Sequence, residues 1–89
     1  MNQSAFEADL KSAGYTHIET KVIEQRSVNE EHKHDYEIRG IVLDGTVIVT
    51  QDKRSTTYHA GEVFIVAQGQ PHTEEIGPQG ARILLGRKY

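Results

Sequence analysis

The sequence predicts an all-β fold, an antiparallel sandwich or closed barrel, with one short helix at its N-terminus. Three observations predict it. From His17 onward, apolar and polar residues alternate with period two, the pattern of half-buried strands. Turn-forming residues punctuate that alternation every few positions: Asp44-Gly45, residues 51–54, Ala60-Gly61, Gly69-Gln70-Pro71 and Gly77-Pro78-Gln79-Gly80. The chain has 89 residues, enough for one compact domain. Many short strands with a turn signal between each close into a barrel or stack as a sandwich.

The elements follow in order. Ser4 followed by Glu7 fits a capping box. Phe6, Leu10 and Ala13 fall on one helical stripe and Gly14 follows directly, so a helix is expected over residues 4–13. It should cover an edge or an end of what comes next. Residues 17–25 read as a strand with Ile18 and Val22 on one face and Ile23 on the other. Residues 36–43 form a second strand. Asp44-Gly45 signals a tight type I′ turn, which needs positive φ at both central positions. Residues 46–50, 55–59, 63–66, 72–76 and 81–85 complete a set of seven or eight short strands. Residues 1–16 are then helix and lead-in, and residues 17–89 a single barrel domain.

Composition narrows the function classes. There is no Cys, which excludes disulfide scaffolds, thiolate metal sites and cysteine nucleophiles. Ten basic residues against thirteen acidic ones give a net charge of -3. The bases are scattered rather than gathered on a face, so no nucleic-acid partner is expected. The longest apolar runs, such as residues 63–67, are too short to span a bilayer. No secretory signal is visible at Met1-Asn2-Gln3-Ser4, and a cytoplasmic address is the default. A core this small gains from a metal or a partner subunit.

Three of the five histidines carry the chemistry. His32 and His34 are two apart, so on a strand both imidazoles project from one face. His72 lies near the start of a later strand, just after a Gly-Gln-Pro turn. Three imidazoles from two strands can meet inside a barrel and bind one divalent transition metal. The plainer alternative for His32-Lys33-His34 is a solvated polar patch beside Glu30-Glu31.

His32-x-His34 with Gly45 further on resembles the first motif of the cupin family, an HxH pair followed by a glutamate and then a glycine. Gly61, Gly69 and His72 resemble the second motif, G(x)5PxG(x)2H, with every spacing kept over residues 61–72. The resemblance covers about residues 32–76 and implies a small single-domain cupin of the RmlC-like kind. It implies an antiparallel jelly-roll barrel around a metal, often iron, manganese, zinc or nickel. His32, His34 and His72 would be its ligands. The chain departs from the family pattern at three places. Ala67 stands where the second motif has proline, and Ile76 where an asparagine is expected. The position of the family's glutamate is Ile38, with Glu37 one place away. Parity turns Glu37 outward if Ile38, Gly40 and Val42 face in. A bulge near residues 34–36 would turn it in as a fourth ligand.

Other residues are candidates for supporting roles. Glu74 shares parity with His72 and is a candidate general base or an acceptor beside the site. Tyr36 and Tyr58 offer a phenol at the cavity mouth or half-buried core packing. Arg39 reads as facing outside the barrel, and Arg82 as a surface charge or a carboxylate-binding group. His17 and His59 lie outside both motifs. The first reading is a metal-binding small cupin acting on a small molecule, as a dioxygenase, lyase or isomerase. The second is a non-catalytic module that binds or senses a small ligand, without a DNA-binding half on this chain. The third is a metal-free barrel whose histidines act as acid and base. A homodimer is expected, because residues 17–25 carry apolar side chains on both faces and one face needs a partner.

Overall fold

The computed structural model describes residues 2–25 and 30–89. The first element is a helix, α1, over Gln3–Ser12. Its cap is Asn2 rather than the expected Ser4: the Asn2 Oδ1 accepts from the Ala5 N–H at 2.7 Å. Glu7 pairs instead with Lys11, one turn on, at 3.3 Å. The helix ends as its sequence predicts, on Gly14 at φ +88. There the Tyr15 N–H reaches the Leu10 carbonyl and the Gly14 N–H the Lys11 carbonyl, the paired bonds of a Schellman stop.

Five strands follow: β1 (Thr16–Ile23), β2 (Glu37–Gln51), β3 (Arg54–His59), β4 (Val63–Val66) and β5 (His72–Lys88). All pairings are antiparallel, in the order β1-β5-β2-β3, with β4 also against β2. The fold is an antiparallel β-barrel of the jelly-roll kind with one short helix, as expected. The count of strands is a correction. Asp44-Gly45 and residues 77–80 do not end strands; β2 and β5 run through them as two long partners that bend together. Gly45, at φ +83, is the cause. A Cβ at this position would collide with the Gly80 carbonyl, so the two strands can approach only through glycine. The register slips on both sides of Gly45, and Thr46 alone stands opposite residues 77–80. The positive-φ signal is therefore a bulge in a bent ladder. The tight hairpin falls at Asp52-Lys53, with φ 50 and 65, between the paired ends Gln51 and Arg54.

The bend wraps the sheet around one apolar interior: Val42, Val47, Val49, Phe64, Val66, Ile76, Ala81, Ile83 and Leu85. Ile38 packs against it, and a Cβ at Gly40 would strike the Phe64 ring. The parity expected for Ile38, Gly40 and Val42 is thus the observed one. The opposite face of the same strands carries Ile41 and Leu84, which α1 covers with Phe6 and Leu10, joined by Tyr15. Both buried helix side chains are less than 2 % exposed. In β1, Ile23 reaches the interior and Ile18 the helix-side cluster, but Val22 is 80 % exposed.

Candidate metal centre

The backbone sets the three histidines side by side before their side chains are considered. His32 and His72 exchange both backbone hydrogen bonds, at 3.0 and 2.9 Å, as a bridge of two opposed residues. Opposed residues point to one face. Two residues on, the His34 carbonyl accepts the Gly69 N–H at 2.8 Å, and Gly69 stands at φ +76. The glycine of the second motif therefore ties the HxH segment to the turn that leads into His72.

The imidazoles converge. Ring centroids lie 4.3 Å apart for His32 and His72, 5.1 Å for His32 and His34, and 5.3 Å for His34 and His72. One ring nitrogen from each lies within 4.8 Å of the other two. Two of the tautomers follow from geometry. The His32 Nδ1 sits 3.0 Å from the Glu30 carbonyl and the His72 Nδ1 3.0 Å from the Gln70 carbonyl. A carbonyl only accepts, so each Nδ1 donates to the backbone behind it and each Nε2 is the nitrogen turned inward. His34 is shaped by its surroundings. Its pKa is lowered by burial, then by the neighbouring His72 and His32, with Glu74 opposing them. Three imidazoles, one of them only 1 % exposed, form a donor set suited to a divalent transition metal.

Glu74 joins them. Its Oε1 lies 3.3 Å from the His32 Nε2 and 3.6 Å from the His72 Nε2. Glu37 does not. It projects from the opposite face of β2, where the Tyr15 hydroxyl donates a hydrogen bond to its carboxylate. That contact and burial push the Tyr15 pKa up to about 12, burial being the larger cause. From Glu37 to Val42 the register with β5 is unbroken, so with Ile38 against the interior Glu37 faces out. Arg39 lies outside the barrel, its guanidinium 5.9 Å from the Phe6 ring centre. Arg82 pairs with Asp44 at 2.7 Å. Tyr58 packs against Phe64 with the rings tilted by 53°, while His17 and His59 are exposed.

A cavity of about 230 Å3 opens beside the histidines. His34, His72, Glu74, Tyr36, Lys21 and Arg87 supply its polar wall, and its floor is apolar, with Ile38, Val49, Phe64 and Val66 among its residues. Tyr36 takes the expected place at the cavity, stacked on His34 at 4.8 Å and 20°. The Arg87 guanidinium lies 4.6 Å from the Tyr36 ring centre. Sequence reasoning missed Lys21 and Arg87. Arg87 shares the parity of the interior Ile83 and Leu85, but that this face meets a cavity, and that Lys21 lies opposite Ile83, follows only from the pairing of β1 with β5.

A family model described as "Cupin domain" matches residues 20–84, most of the chain. The chain belongs to the cupin family. No curated protein matches it. Among solved structures, this cupin is similar to the EutQ protein of Clostridium difficile, at 18% identity and TM-score 0.69, over 80% of this chain and 54% of that one. It is similar to an RmlC-like cupin of Shewanella frigidimarina, at 18% identity and TM-score 0.69, over 80% and 63%. A cupin-2 domain containing protein of Shewanella frigidimarina matches at 17% identity and TM-score 0.66, over 100% of this chain and 94% of that one. The chain thus spans between about half and two-thirds of the first two structures and nearly all of the third. At these identities the likeness shows the fold. Among the described residues, no helix is long and apolar enough to cross a membrane.

Proposed function

We propose that this cupin binds one divalent transition metal on His32, His34 and His72, with Glu74 as the carboxylate of the set, and acts there on a small molecule. The observation that carries the reading is the convergence of three ring nitrogens within 4.8 Å, two of them with tautomers fixed from behind. Bound there, the metal would act as a Lewis acid, polarising an oxygen of the ligand or bringing dioxygen to it. Iron, manganese, zinc and nickel all accept such donors.

The chain's own residues do the rest. The Glu30 and Gln70 carbonyls hold His32 and His72 in the ligating tautomer. Tyr36 stacks on His34 and fixes the plane of its ring. The Glu74 carboxylate, its Oε1 turned to the His32 and His72 Nε2 atoms, would complete the donor set. The apolar floor keeps water from the far side of the cavity. Dioxygenase, lyase and isomerase chemistry on a small molecule all fit this arrangement, and binding without turnover is the alternative. A cytoplasmic homodimer is the form proposed for the protein.

The test is a zinc titration of untagged protein against a chelator, with oxygen-uptake and turnover assays on the iron-loaded form. One zinc per chain is expected, with affinity falling as pH drops through the imidazole range, where protons compete for the same lone pairs. His72→Ala should cost about a hundred-fold or more. Equal zinc affinity in His72→Ala and the parent protein would refute the site.

A further inference from the structure

The cavity wall opposite its apolar floor carries two cationic side chains against one carboxylate. Arg87 is half-buried and Lys21 stands at the rim. The positive excess is larger still once a divalent ion is bound at the histidines. The placement of Arg87 is built rather than incidental. It follows Ile83 and Leu85 on the inner parity of β5, its guanidinium rests over the Tyr36 ring at 4.6 Å, and its Nη1 donates to the Tyr89 hydroxyl at 3.3 Å. Tyr36 in turn stacks on His34, so the guanidinium, the phenol and an imidazole form one continuous wall. A planar guanidinium held this way presents its remaining N–H donors in a fork that matches a carboxylate.

From this we infer that the cavity selects a small carboxylic acid with a short apolar body, its carboxylate on Arg87 and Lys21 and its hydrocarbon on the floor of Ile38, Val49, Phe64 and Val66. Charge complementarity gives the head group, and the apolar floor gives the tail. The volume of about 230 Å3 is that of about eight water-sized groups, which limits the ligand to a short-chain acid. The inference rests on the reading of this cavity as the place where the small molecule binds.

The experiment is an NMR titration of 15N-labelled, zinc-loaded full-length protein with sodium hexanoate, and with hexanamide as its neutral isostere. Saturable shifts of β1 and β5 amides around Lys21 and Arg87 are expected with hexanoate, at an affinity at least about ten-fold above hexanamide. Arg87→Gln should weaken hexanoate by about ten-fold and Lys21→Gln by a smaller factor. Arg82→Gln, whose partner is Asp44 outside the cavity, should change nothing. Equal binding of acid and amide would overturn the inference. So would parent-like hexanoate affinity in both Lys21→Gln and Arg87→Gln, or displacement of hexanoate by an equal concentration of inorganic phosphate. Should Arg87→Gln fail to fold, Lys21→Gln decides alone, its side chain being exposed. Zinc affinity, measured in parallel by chelator competition, separates this from the metal reading: Arg87→Gln should hold zinc as the parent does. If the parent takes up no zinc, the same titrations on metal-free protein still decide whether the cationic wall selects a carboxylate.

Discussion

Glu37 and Glu74 are both half-buried carboxylates, and a single step of strand parity separates their roles. Glu37 shares a face of β2 with Arg39 and Ile41 and accepts the Tyr15 hydroxyl on the helix side of the sheet. Glu74 shares a face of β5 with His72 and lies within 3.6 Å of two imidazole nitrogens. The two substitutions should therefore part company. Glu74→Gln should lower zinc affinity by at least about ten-fold. Glu37→Gln should leave it unchanged while lowering stability by about 1 kcal/mol through the weakened Tyr15 bond. Chelator competition and urea denaturation read the two effects separately, and a Glu37→Gln variant that loses its zinc would reverse the assignment. The three histidines were legible in the sequence because His32 and His34 share a parity and, with His72, fall where the two cupin motifs carry histidine. Glu74 was legible only as a possibility, since a carboxylate on the right parity is more often a solvated one. Lys21 and Arg87 were not identified, because facing a cavity depends on which strand each element pairs with, and that pairing is long-range.

At the scale of the elements, glycine carried a signal that the sequence could not resolve. A residue with positive φ fits a hairpin turn and a bulge equally well, and only the partner strand distinguishes them. Asp44-Gly45 reads as a hairpin, yet β5 stays beside β2 on both sides of it. The barrel's curvature follows from that shared bend, which carries the interior face of both strands around the core. Gly45 and Gly61 make a controlled comparison. Both have positive φ, +83 and +89, but a Cβ at Gly45 meets the Gly80 backbone, whereas at Gly61 nothing lies within 4 Å. Gly61→Ala should cost about 1 kcal/mol, the conformational penalty alone. Gly45→Ala should cost about 3 kcal/mol or more, because the backbone of β5 must also move. Equal costs in denaturant titrations would mean that the bend does not depend on this close approach. The helix was legible almost to the residue, since its stripe and its stop are local. Its cap is Asn2, whose side chain accepts from the Ala5 amide, so Ser4 falls inside the first turn.

For the molecule as a whole, the chain covers one side of its sheet with α1, and among the described residues the end strand β1 has one edge unpaired. β1 pairs with β5 alone among the described strands, and Val22 is 80 % exposed on it. An open edge beside an exposed valine suits a second copy of the chain, related by a twofold axis. Sedimentation equilibrium at micromolar concentration should show a dimer of about 20 kDa, twice the chain mass of 10.0 kDa. Val22→Lys should weaken it by about ten-fold or more, and a parent protein that stays monomeric would contradict the expected assembly. The cavity and the metal centre lie within one chain, so their chemistry does not wait on that result. The central claim is that the imidazoles of His32, His34 and His72, together with the Glu74 carboxylate, converge on one ion. Its most direct test is a crystal structure of the zinc-loaded protein with data collected at the zinc absorption edge. The account predicts one anomalous peak per chain, about 2.0–2.2 Å from a nitrogen of each of the three imidazoles and from a Glu74 oxygen; a peak at Glu37, or none between the histidines, would contradict it.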